Sequence, residues 1–243
     1  MVVHWLGRYS GFVKSLRIVS ELGLASEIHA SPMVYVDERT ARFVEVTRSA
    51  LVLGSSQNID QVSKSALEHL DAELVIRKSG GGAVFLSPMG QLWVDIAIPK
   101  TDPLFLGDVG RSFLVIGEIF MEALSRVGGH DLEMHTGRLL GGRLARTICF
   151  AGLGPGEITF EGAKVVGMSQ RRTANGAVFQ CTAYLRYPFD QLSELMAGAG
   201  VDIPARGYAL GLAEIFEEFA DLDGVPAISQ LRRSLIDALE NTL

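Results

Sequence analysis

The sequence predicts an α+β protein, with a mixed β-sheet as one layer and helices grouped around it. Three observations carry this. Short strand-like runs crowd the middle of the chain between glycine-rich turns. Helix-period apolar faces concentrate in one central segment and in the C-terminal third. Strands and helices do not alternate in the regular order of a doubly wound βαβ repeat.

The elements follow in chain order. Phe12, Leu16, Val19 and Leu22 recur at near-helical spacing, which predicts a helix over Gly11 to Leu24. Met33 to Val36 and Phe43 to Val46 read as a hairpin around Asp37-Glu38-Arg39-Thr40. Ala50 to Leu53 is a strand, Ser63 to Leu70 a short helix, and Leu74 to Arg77 a strand that a run of three glycines interrupts. Ala83 to Phe85 and Leu92 to Ile98 resume strand character, with Leu92, Val94, Ile96 and Ile98 on one face and Trp93 and Asp95 on the other. The clearest helix starts at Asp108 as N-cap, carries Phe113, Ile116, Phe120, Leu124 and Val127 three and four apart, and stops at Gly128-Gly129. Strands are predicted at Ile148 to Phe150, Glu157 to Phe160, Ala163 to Gly167 and Val178 to Leu185. Helical faces follow around Leu192, Leu195 and Met196, over Leu210 to Phe219, and through Ile228, Leu231, Leu235 and Leu239.

At 243 residues and 48% hydrophobic composition, the chain can build one sizeable core, and a single domain over residues 1–243 is expected. No apolar run approaches the ~18 residues of a membrane span, and the N-terminus lacks a signal-peptide pattern, so the expectation is a cytoplasmic protein with no membrane partner. Two cysteines, Cys149 and Cys181, give no disulfide framework and leave each thiol available for chemistry. A net charge of −6 argues against a nucleic-acid partner. Arg138, Arg143, Arg146, Arg171 and Arg172 nevertheless lie close in sequence, as a solvated surface or a docking patch for an acidic partner. No His/Cys/Asp/Glu group has zinc-site spacing, so no metal site is expected.

Two segments carry the chemistry. In Arg77-Lys78-Ser79-Gly80-Gly81-Gly82-Ala83-Val84-Phe85, three glycines let backbone N–H groups approach a ligand and reach positive φ, and two cations stand beside them. The spacing fits neither GxGxxG nor a phosphate loop, which excludes a Rossmann reading. By itself such a turn can be only a tight connection. In Gly162 to Arg172, Lys164 opens an otherwise apolar strand, where its ammonium can stabilise negative charge on a carbonyl or phosphoryl oxygen or simply reach solvent.

Together the two segments resemble the SGGGAV signature and the glycine-x-lysine segment of the lipoate-protein ligase A family, in the same order and at a similar separation. Arg42 to Asn58 resembles the VxLGxxQ element before the signature, and Ile148-Cys149-Phe150 with Gly154 to Ile158 resembles the stretch ahead of the lysine. The resemblance spans roughly residues 40–200. It implies the biotin/lipoate protein ligase catalytic fold, a mixed sheet flanked by helices, and attachment of lipoyl or octanoyl groups to a specific lysine of lipoyl carrier domains. Such carriers belong to 2-oxoacid dehydrogenases or the glycine cleavage protein. It further implies that Arg77 with Gly80 to Gly82 cradles the activated acyl group and that Lys164 contacts its oxygens, with Ser79, Gly167 and Gln180 as further substrate-binding positions. In ligases of the family an acyl-adenylate forms, so ATP and magnesium are implied.

Three departures qualify this. Gln180-Cys181 replaces a histidine-glycine pair and Leu86 to Gln91 replaces a histidine-aspartate loop; the third is that no C-terminal accessory domain is expected, so that an accessory subunit is the expected partner. Asp95 either compensates or faces solvent. Cysteine-dependent octanoyltransferases resembling this family carry their nucleophile in a similar CF segment, so Cys149 implies an alternative that needs no ATP: a thioester intermediate formed from octanoyl carrier thioester. A buried, inert Cys149 is the competing reading, and Cys181 is the weaker candidate. A non-catalytic lipoate- or biotin-binding module is a further alternative.

Overall fold

The computed structural model describes residues 16–31, 33, 38–216 and 225–242. Its strands are β1 (Arg17–Gly23), β2 (Thr40–Val46), β3 (Ala50–Leu53), β4 (Glu73–Ile76), β5 (Val84–Leu86), β6 (Gln91–Pro99), β7 (Leu132–Met134), β8 (Ile158–Phe160), β9 (Ala163–Thr173) and β10 (Gly176–Tyr184). Its helices are α1 (Ala25–Ala30), α2 (Lys64–His69), α3 (Val109–Arg126), α4 (Arg143–Thr147), α5 (Phe189–Leu195) and α6 (Val225–Asn241). The fold is the expected α+β arrangement. A seven-stranded sheet in the order β1-β2-β6-β10-β9-β8-β7 is antiparallel except for the β1–β2 pair, and a small sheet, β4-β3-β5, stands beside it.

Helix α3 shows why these residues fold here. Asp108 caps it, its Oδ1 accepting from Arg111 N at 2.7 Å, an interaction of about 1 kcal/mol. Its apolar stripe buries Ile116, Ile119, Phe120 and Leu124 completely or nearly so against the large sheet, at roughly 1.5–3 kcal/mol for each side chain. Helix α6 adds Leu231, Leu235 and Leu239 to the same core. A second core lies between the small sheet and α2 and α5, where Leu51, Leu53 and Phe85 meet Leu192 and Leu195. The buried Arg39–Asp102 ion pair, 2.9 Å apart, ties β2 to the loop after β6, and Arg39 also donates to the Leu239 carbonyl of α6.

Several expectations need correction. Residues 17–23 are a strand, not a helix: their backbone pairs in parallel with β2, and Leu22 is 70% exposed where a helical face would bury it. The hairpin does not form around β2, because both edges of that strand are taken, by β1 and β6. The 33–36 half of it lies mostly outside the described residues. Ile148 makes one bridge to Ala83, after which Cys149 to Ala151 close a single 3-10 turn instead of extending a strand. Of the helix expected over 210–219, only a 3-10 turn at Leu212–Glu214 forms within the described part, because Leu210 N instead donates to the Lys164 carbonyl. Residues 217–219 lie outside the described residues. Strand β7 and helices α1 and α4 have no counterpart in the sequence pattern; each is six residues or fewer, too short for a periodic signal.

Candidate active site

The glycine loop joins β4 of the small sheet to β5. Arg77 is 5% exposed, and its guanidinium donates back to the carbonyls of Gly80, at 2.8 Å, and Gly82, at 2.9 Å. The arginine therefore fixes the shape of the loop that follows it. Gly81 has φ of +104°, a conformation that side chains disfavour. At Gly82 a Cβ would lie 2.6 Å from the backbone of Ile148 and Cys149, whereas at Gly80 it would meet nothing. The three glycines thus serve three ends: a left-handed turn, a close approach to the Cys149 segment, and an open face on the cavity. Lys78 points to solvent.

Lys164 sits at the start of β9, its backbone held on one side by β8 and on the other by residues 208–210. It is 2% exposed, so it is not a surface lysine. Its Nζ donates to Glu157 Oε2 and to the Cys149 carbonyl, each at 2.9 Å, and lies 5.0 Å from the Phe150 ring centroid. Glu157, itself 5% exposed, also accepts from Gly154 N at 2.6 Å and Met168 N at 2.9 Å, so both carboxylate oxygens are fixed. A buried ion pair is costly to desolvate, so its presence is not by itself a sign of stabilisation. An ammonium has three donors, two of which are engaged here, and Lys164 lines the open cavity. Glu157 was not among the residues expected in the site. A lone acid ahead of a strand carries no pattern that separates it from a solvated one.

Two cavities meet at this point. An open one of about 910 Å³ is bordered by Gly80 to Gly82, Arg143, Arg146 and Lys164. A narrow one of about 40 Å³ is walled mainly by apolar side chains, among them Val52, Val84, Leu86, Trp93 and Phe150. Cys149, Met168 and Ser169 line both. Cys149 is half-buried, and its Sγ lies 3.9 Å from where a side chain on Gly81 would begin. Gly167 lines the narrow cavity, and a Cβ there would strike the Phe150 ring at 2.7 Å. Ser79 donates to Gln180 Oε1 at 3.0 Å and accepts from Ser169 at 3.3 Å, so Gln180 ties the glycine loop to the large sheet.

The remaining candidates separate from the site. Cys181 is fully buried in the main core, where burial drives its thiol pKa well above the ordinary value. Asp95 does not face solvent. It is 1% exposed and is held by Arg42 and by Trp93 Nε1 at 2.8 Å. The five arginines do not form one patch, since Arg172 turns inward to the carbonyls of Leu106 and Gly107 while Arg171 lines a different cavity. Among the described residues no group of three or more His, Cys, Asp or Glu is placed to hold a metal ion, and no helix is long and apolar enough to cross a membrane.

Comparison with known proteins agrees with this geometry. The fold is shared with a Thermoplasma acidophilum protein described as a candidate lipoate protein ligase with bound lipoic acid, at TM-score 0.68 and 17% identity over 95% of this chain and 86% of that one. A lipoate-protein ligase A bound with ATP superposes at TM-score 0.65 and 18% identity, over 93% and 84% of the two chains. A bipartite lipoate protein ligase of T. acidophilum, studied with its E2 lipoyl domain, gives TM-score 0.63 and 17% identity over the same shares. No curated protein sequence matches. The model of the lipoyl protein ligase A/B catalytic domain matches residues 24–208, about three quarters of the sequence and both chemistry-bearing segments, and the chain belongs to that family.

Proposed function

We propose that this enzyme attaches a lipoyl or octanoyl group to a lysine of a small lipoyl carrier domain, in the manner of a lipoate-protein ligase. One observation carries the reading. A narrow apolar cavity adjoins, at Cys149, Met168 and Ser169, a wide one whose wall carries Lys164, Arg143, Arg146 and the glycine loop, which suits an acyl group with a buried tail and a reactive head. In this reading the tail would lie among Val52, Val84, Leu86 and Trp93, which line the narrow cavity, and the head would reach Lys164 in the wall of the wide one.

The open cavity also fits ATP. Gly80 and Gly81 supply backbone without side-chain obstruction, and Arg143, Arg146 and Lys164 supply positive charge for phosphates. ATP bound there would turn a poorly reactive carboxylate into one with a good leaving group. Magnesium would enter with the ATP phosphates and keep waters as its other ligands, because the one carboxylate lining this cavity among the described residues, Glu157, is already engaged by Lys164, Gly154 and Met168. This chain's residues hold the acyl carbonyl beside Lys164, exclude water from the tail and leave the wide mouth for the carrier lysine. The bipartite archaeal ligase supports an accessory subunit as a further partner.

A second reading is favoured by Cys149, whose placement in both cavities puts its thiol beside the acyl head. There the thiolate would attack an octanoyl thioester and release the donor thiol. The carrier lysine amine would then attack the new thioester, forming the amide, freeing Cys149 and giving its proton to solvent. Incubation of the full chain with a lipoyl domain and either lipoate, ATP and magnesium or octanoyl carrier thioester separates the two readings. For a ligase, ATP-dependent acylation persists in Cys149→Ser. Acylation from thioester alone, lost in Cys149→Ser, would replace the ligase reading with the transferase one. Tight binding without transfer from either donor would leave a binding module.

A further inference from the structure

The narrow cavity is bounded by different residues at its two ends. Cys149, Met168 and Ser169 are shared with the open cavity. His29 and Gln180 are shared with a separate polar cavity that also touches Arg42, Lys78 and Asp95. The wall between the ends is formed by one row of paired residues, Gly167 on β9, Thr182 on β10 and Trp93 on β6. Three adjacent strands span on the order of 10 Å, the reach of an extended octanoyl chain.

At the β6 end stands His29, from helix α1. Its ring stacks on Trp93 with centroids 5.0 Å apart and planes 26° from parallel. Trp93 is pinned in turn, since its Nε1 donates to Asp95 and Asp95 is paired with Arg42. Arg42 also binds Glu21 on β1 and the Ser31 carbonyl just after α1. The stacked pair is therefore braced by three strands and the end of its own helix. Burial, reinforced by the charges of Arg77 and Arg42, pushes the His29 pKa down to about 4, so at neutral pH the ring is an uncharged flat plate.

We propose that His29 is the end-stop of the acyl cavity and sets the longest acyl chain the enzyme accepts, a specificity that rests on the acyl-site reading above. With the imidazole in place, the chain ends against the His29–Trp93 stack. With the imidazole removed, the narrow cavity joins the polar cavity behind it, and a longer chain can pass.

Calorimetric titration of the full chain with octanoate, decanoate and dodecanoate tests this. Wild type should bind octanoate and discriminate against dodecanoate. His29→Ala should raise the dodecanoate-to-octanoate affinity ratio at least about tenfold, the lower end of what one methylene decides in a closed apolar pocket. His29→Phe, which keeps a flat ring on Trp93, should retain the wild-type ranking. His29→Trp should shift the optimum to shorter acids, and this variant decides the matter if His29→Ala fails to fold. An unchanged ranking in both His29→Ala and His29→Trp, or equal wild-type affinity for octanoate and dodecanoate, overturns the end-stop while leaving the acyl site standing. Absence of binding of all three acids by wild type, and of lipoate as well, overturns the site itself.

Discussion

Lys164→Met is expected to reduce acyl transfer to a lipoyl domain by about 10²–10³-fold, the usual effect of removing one preorganised donor from a developing oxyanion. The variant should also melt at a lower temperature, because Glu157 is left as an unpaired buried carboxylate, and such half-pairs cost about 3–5 kcal/mol. The two losses can be separated. In Lys164→Met/Glu157→Gln no uncompensated charge remains, so thermal stability should return in part while transfer stays lost. Recovery of transfer together with stability would show that the lysine serves the fold and not the chemistry. The comparison is a double-mutant cycle on a contacting pair, where non-additivity is the expected signal.

Gly54→Ala should disable the enzyme from outside the expected site. A Cβ at Gly54 would lie 1.9 Å from the Gly81 carbonyl oxygen and 2.9 Å from its carbon, and both are backbone atoms that cannot swing aside. The loop must move by an ångström or more, breaking the Arg77 contacts to Gly80 and Gly82. We expect a stability loss of about 1–3 kcal/mol, typical of overpacking, together with transfer reduced by at least about 10²-fold, the scale of an ångström's misplacement at a reacting centre. Denaturant unfolding and the carrier acylation assay read the two effects. Near-wild-type transfer in a folded Gly54→Ala would mean that the loop position is not critical.

The same contact shows what could be read from sequence. Gly54 stood in the VxLGxxQ element as a motif match without a reason, and the reason is a close approach between the end of β3 and the glycine loop that only the fold reveals. Helix α3 was legible from cap to stop, because eighteen residues of 3.6-period apolar pattern leave no competing arrangement. Strands β3, β4 and β6 were legible to within a residue or so. Strand β1 was misread because its apolar residues fit a helical period, and a parallel partner across the chain decides its conformation. The candidate site was half legible. Arg77 to Gly82 and Lys164 stood out as motifs, whereas Glu157 and His29 depend on tertiary placement: one carboxylate facing one ammonium, and one ring stacked on Trp93 from a helix of six residues.

The narrow cavity adjoining the open one at Cys149, with Lys164 in the wall of the open one, is the core of the functional reading, and a crystal structure of the full chain with octanoate bound tests it most directly. The carboxylate should lie within hydrogen-bonding distance of Lys164 Nζ, with the tail running past Gly167 to end at the His29–Trp93 stack. Octanoate bound elsewhere, or bound in this cavity with its carboxylate at Trp93 and its tail in the open mouth, would contradict it.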